Sequence, residues 1–139
     1  MSTLLAKIQI HAGKESEFES VMAYMYEETH GKEANSVLRY EYWRGQQPNF
    51  YYCLLSFADN VSFWRHQASD HHEGEMERFI ACIASLDLET VDPVQQASPL
   101  PPTVEGDTPA SESAAVQQQA SQFPITEATW WAAVRQAIA

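Results

Sequence analysis

The chain has 139 residues, 45% of them hydrophobic and 19% charged, enough for one globular domain with a core and some chain to spare. A formal net charge of −11 with only 8 Lys and Arg excludes the clustered cations that neutralise nucleic-acid phosphates or hold an anionic membrane. No apolar run approaches membrane-spanning length, and Lys7 followed by polar residues breaks any signal-peptide pattern, so the expected location is the cytoplasm. Cys53 and Cys82 lack a CxxC spacing and are expected as buried thiols in a reducing compartment.

Leu4 to His11 alternates apolar and polar residues, the period of a half-buried strand. Ala12-Gly13-Lys14 turns the chain into a helix over about 14–29, with Phe18, Val21, Met22 and Met25 on one buried face. A loop over 31–36 leads to a second strand, Val37 to Trp43. Strict alternation there places Leu38, Tyr40 and Tyr42 on one face and Val37, Arg39, Glu41 and Trp43 on the other. A turn over 45–49 makes a hairpin with a third strand, Phe50 to Phe57, apolar on both faces and hence expected to be central.

Asn60 is placed to cap a short helix holding Phe63, Trp64 and His66. Ser69 or Asp70 restarts the helix, and Met76, Phe79, Ile80 and Ile83 give it an apolar face. Leu86 to Val91 is the fourth strand, stopped at Pro93. The order strand, helix, strand, strand, helix, strand is the ferredoxin-like α+β arrangement, an antiparallel sheet with both helices on one face. Its other face would be too apolar to leave in water, and a second copy of the chain is the expected cover.

Residues 2 to about 92 resemble the antibiotic biosynthesis monooxygenase group of dimeric α/β-barrel proteins. The features that carry the resemblance are the opening strand ending in His11-Ala12-Gly13-Lys14-Glu15, the hairpin from Tyr40 to Phe57, and Phe63-Trp64-Arg65-His66-Gln67-Ala68-Ser69-Asp70-His71. The resemblance implies a homodimer with a pocket between each sheet and its helices. It also implies oxidation of a small aromatic, phenolic or quinol-type substrate by molecular oxygen, with no metal or flavin cofactor. Such chemistry needs an apolar cavity, a base and a polar group to hold an anion. His66 and His71 are the candidate bases, since histidine titrates near neutrality unaided. Arg39 is the candidate anion holder, and Tyr40, Trp43, Tyr52, Phe57, Phe63 and Trp64 the candidate substrate-binding walls. Relatives often have a Trp where this chain has Phe57, an Asn at Cys53 and a Tyr at Phe63, so several of their polar groups are missing here.

Competing readings exist for each feature. His66, Asp70, His71, His72 and Glu73 invite a metal, but no His-Glu-x-x-His motif is present and no metal site is expected. His66 could equally be a structural hydrogen-bonding group, Trp64 a core residue, and Arg39 a partner for Glu41. The barrel could be a plain isomerase or ligand-binding protein, or a scaffold for an interaction module.

Residues 1–94 are thus read as the domain and 95–122, rich in Pro, Gln, Ser and Ala, as a flexible linker. Residues 123–139 read as a short amphipathic helix, with Trp130, Val134 and Ile138 on one face, docking on the barrel or on the dimer partner. A membrane anchor is disfavoured because Arg135 is its one cation.

Overall fold

Ser2–Ile10 forms β1, one of two inner strands of the sheet, and its alternation puts Leu4, Ala6, Ile8 and Ile10 into the core. The structure, a computed structural model, describes residues 1–138; Ala139 and the Ile138 side chain, part of the expected tail helix, lie outside the described residues. Helix α1 (Glu15–Lys32) follows, buries Phe18, Val21, Met22 and Met25, and runs three residues past the expected Thr29. His30 and Lys32 in its last turn suit the negative end of a helix.

Strands β2 (Val37–Arg44) and β3 (Phe50–Phe57) make the expected hairpin. Helices α2 (Asn60–Gln67) and α3 (Asp70–Cys82) come next. Strand β4 (Ile83–Val91) starts three residues earlier than expected, because Ile83 both caps α3 and opens the strand. The sheet order is β2-β3-β1-β4, antiparallel throughout. This is the ferredoxin-like arrangement the sequence predicts.

One register detail departs from strict alternation. Val37 pairs with Phe57 and Arg39 with Ser56, so Leu38 bulges out of the ladder. Val37 therefore turns into the core and Leu38 is 43% exposed, while Tyr40 and Tyr42 stay on the helix side. The opposite face carries Leu5, Trp43, Phe50, Tyr52 and Leu54, with Trp43 59% exposed.

The cap of α2 is Asp59, not Asn60: the Asp59 carboxylate accepts the Ser62 N–H at 2.7 Å, and Asn60 donates instead to the Val104 carbonyl at 2.9 Å. Ser69 caps α3 by accepting from the His72 N–H at 3.3 Å. Asp59→Ala and Ser69→Ala are each expected to cost about 1 kcal/mol. Urea unfolding with an unchanged slope would check this; no shift in midpoint would mean the caps are redundant.

Part of the stretch expected as a linker is helical. Ala and Gln are strong helix formers, and α4 (Ala114–Gln122) starts at Ser113, packs on α2 and buries Val116. Helix α5 (Thr129–Ile138) ends the chain; Trp131 is buried and Trp130 is 66% exposed. The whole tail is strapped to its own domain. Thr103 Oγ1 donates to the Val91 carbonyl at 2.7 Å, Val104 N–H to Met1 O at 2.9 Å, and Trp64 Nε1–H to Phe123 O at 2.9 Å. Arg135 Nε donates to Asp92 at 2.9 Å, and Arg65 pairs with Glu112. Among the described residues no helix is long and apolar enough to cross a membrane.

Candidate active site

Helices α2 and α3 are separated by only Ala68 and Ser69, so His66, His71 and His72 crowd together above the sheet where α1 ends. His66, in the last turn of α2, is 1% exposed. Its ring lies against Tyr40 (5.0 Å between centroids), Phe57 (5.2 Å) and His72 (5.0 Å). Glu33, the residue that caps the end of α1, reaches this cluster. Its Oε1 accepts from His66 Nδ1–H at 3.0 Å and from His71 Nε2–H at 2.7 Å.

That contact fixes the imidazole. An ionised carboxylate can only accept, so the His66 proton sits on Nδ1 and the Nε2 lone pair is free. His66 Nε2 is buried with no hydrogen-bond partner among the described residues, and so is His72 Nδ1. Unpaired buried nitrogens cost stability unless something fills the space beside them.

That space exists. A cavity of about 580 Å³ lies between the helix-side face of the sheet, α3 and α4. Ala6, Ile8, Leu55, Leu86 and Leu88 form its floor, and Met76, Phe79 and Ile80 one wall. His66, His72, Tyr40 and Tyr42 also line it, as do Gln118, Gln119 and Gln122 of α4.

Burial governs the proton chemistry. Burial first, then the neighbouring His71, pushes His66 down to about 3. Burial and the nearby His66 likewise push His72 down to about 4. Both rings are therefore neutral at neutral pH, which corrects the expectation of a histidine titrating there. Burial raises the Glu33 carboxyl, against the pull of His71. The phenols of Tyr40 and Tyr42, joined at 2.8 Å, are held protonated by burial, and the Cys53 thiol is pushed up to about 12. Cys53 is an inert wall, not a nucleophile.

Glu33, His66 and His71 also form a donor set: one ligand atom from each lies within 4.8 Å of the others. Two imidazoles and a carboxylate have the composition that binds a divalent transition metal. In the hydrogen-bonded arrangement seen here the Nδ1 lone pair of His66 is taken up by its proton.

The predicted site residues divide in two. His66 and Tyr40 meet at the cavity, with Phe57, Phe63 and Trp64 buried behind them. His71 stands behind His66 as the second donor to Glu33, away from the cavity wall. Arg39, Trp43 and Tyr52 lie on the opposite face of the sheet, and Arg39 is ion-paired with Glu41. They do not reach the cavity, because neighbouring strand residues point to opposite faces. Glu33, and the glutamines of α4, were not foreseen. His72 was singled out only as a metal ligand.

A second, surface groove of about 440 Å³ runs between α1 and the edge of β2. Its charged groups pair with one another: Arg44 Nε and Tyr51 Oη both donate to Glu19 Oε1, at 2.6 and 2.8 Å.

No family model matches the chain, and no curated protein matches it in sequence. Solved structures do. A "putative antibiotic biosynthesis monooxygenase" from Caulobacter crescentus superposes with a TM-score of 0.63 at 20% identity, over 68% of this chain and 90% of the other. A second protein of that description, from Bacteroides thetaiotaomicron, gives 0.62 at 20% identity, over 76% and 95%. A conserved protein from Methanosarcina mazei gives 0.60 at 22% identity, over 65% and 89%. This chain has their fold. The likeness covers between 65% and 76% of this chain.

Proposed function

We propose that the protein is a cofactor-independent monooxygenase of small aromatic, phenolic or quinol-type molecules, acting as a homodimer. The observation that supports this most is the buried, unpartnered Nε2 of His66, backed by Glu33 and facing the cavity. The description carried by several structures of the same fold supports the reaction class.

A substrate hydroxyl donates to Nε2 and loses its proton there. The Glu33 carboxylate stabilises the imidazolium that forms. The substrate anion, held in the cavity, is electron-rich enough to reduce oxygen itself. One oxygen atom enters the substrate and the other leaves as water, the substrate supplying all four electrons and leaving as a quinone. Burial pushes the His66 ring down to about 3, so the proton transfer depends on the substrate anion and the Glu33 carboxylate stabilising the imidazolium between them. His72 Nδ1 offers a second polar contact, and the protonated phenols of Tyr40 and Tyr42 offer donors. In the dimer, a second copy covers the sheet face bearing Trp43 and Tyr52.

Oxygen uptake by chelator-treated protein with hydroquinones and dihydroxynaphthalenes tests the reading. His66→Ala is expected to lower the rate by at least about 100-fold. Uptake equal to spontaneous oxidation with every compound would sink the oxygenase; uptake that survives His66→Ala would sink the base. Sedimentation tests the dimer, which Trp43→Glu should dissociate by placing a charge in the interface.

A further inference from the structure

We infer that α4 is the substrate-selecting wall of the cavity, and that it selects an uncharged ring system carrying a second oxygen function beside the reacting hydroxyl. The inference rests on the cavity being the substrate site, but not on oxygen as co-substrate.

Three observations carry it. First, α4 follows the βαββαβ unit, which is complete at β4, yet it lines the cavity. Second, its placement is built rather than incidental. Val116 and Ile125 are buried, Trp64 Nε1–H holds the Phe123 carbonyl at 2.9 Å, and Arg65 pairs with Glu112 just before the helix. Third, the face it presents is chemically specific. Gln117 spends its amide on the Pro109 carbonyl at 2.6 Å, while Gln118, Gln119 and Gln122, spaced one and four apart, line the cavity.

Each glutamine offers one acceptor and two donors without charge. Among the described residues, no Lys or Arg lines this cavity, and Glu73 is its one formally charged side chain. An anionic group in the cavity would find no cation, and Glu73 would repel it. A hydroxyl or carbonyl against α4 would find amides. The unpartnered His66 Nε2 takes the reacting hydroxyl. The remaining walls are mostly aliphatic and aromatic, fitted to a flat ring body.

Three isosteric probes separate these demands: 2,6-dihydroxynaphthalene, 2-naphthol and 6-hydroxynaphthalene-2-sulfonate. Each is titrated under argon by tryptophan fluorescence, so oxygen chemistry cannot contribute. The diol is expected to bind about tenfold more tightly than 2-naphthol, and the sulfonate more weakly than either. The triple variant Gln118→Leu/Gln119→Leu/Gln122→Leu should erase the preference for the diol while keeping 2-naphthol. Gln122→Leu alone, at an exposed position, should halve the advantage without risk to folding. Equal affinity for the diol and the sulfonate, no binding of any probe, or a diol preference that persists in the triple variant would each overturn the inference. A preserved diol preference in wild type with no oxygen uptake would instead overturn the oxygenase and leave this wall in place.

Discussion

Between pH 7 and pH 5 the protein is expected to lose about 2 kcal/mol of stability for each of His66 and His72. Both imidazoles have a folded value below the ordinary 6.5, at about 3 and about 4. The unfolded chain therefore binds protons that the folded chain refuses. The stability is fully present above pH 6.5 and is lost as pH falls towards the folded values. Glu33 acts in the opposite sense, since its raised carboxyl takes up a proton more readily in the folded state and offsets part of the loss. Urea midpoints at pH 7, 6 and 5 would measure the slope. His66→Gln should remove about half of it, at a cost in stability at pH 7. A midpoint unchanged from pH 7 to 5 would mean that the rings can be protonated where they stand, and the account of a dry cluster would fail.

Trp64→Ala is expected to cost about 3–5 kcal/mol, the range for deleting a large buried aromatic. Its ring is 2% exposed in the core, and its Nε1–H holds the Phe123 carbonyl at 2.9 Å, so one residue serves both the domain and the tail. Trp64→Phe separates the two roles. It keeps most of the packing and leaves that carbonyl without its donor, for about 1–2 kcal/mol. Limited proteolysis would then cut the tail between Pro102 and Glu112 faster, while the fragment through Val91 resists. Equal tail cleavage in wild type and Trp64→Phe would show that the hydrogen bond is not an anchor.

The fold was legible because its signals are local. Period-two alternation marks β1, and the spacing of Phe18, Val21, Met22 and Met25 marks α1, without reference to anything distant. The misplacements are also local: a bulge at Leu38, and a cap shifted by one residue to Asp59. Site residues are harder to place. Arg39, Trp43 and Tyr52 have the right chemistry, but a strand sends alternate side chains to opposite faces, and theirs faces away from the cavity. Glu33 joins His66 across 33 residues of sequence, a pairing no periodic pattern encodes. The tail misled through composition. Pro, Gln and Ser suggest a linker, yet Ala114–Gln122 is a run of helix formers with a Ser cap, once α2 is there to receive it.

The straps that hold the tail carry a consequence for the order of folding. Thr103 Oγ1 accepts from the N–H of Thr3, 100 residues away, and Val104 N–H reaches Met1. Closing so long a loop costs entropy that local contacts do not, so docking of the tail should follow pairing of the four strands. During synthesis all of β1 to β4 is made before α4 exists. The nascent protein thus passes through a stage in which the sheet is assembled and the cavity stands uncovered, with its aliphatic floor open to water. Completing the last third of the chain covers part of that surface, so α4 also shields the new sheet from other hydrophobic segments.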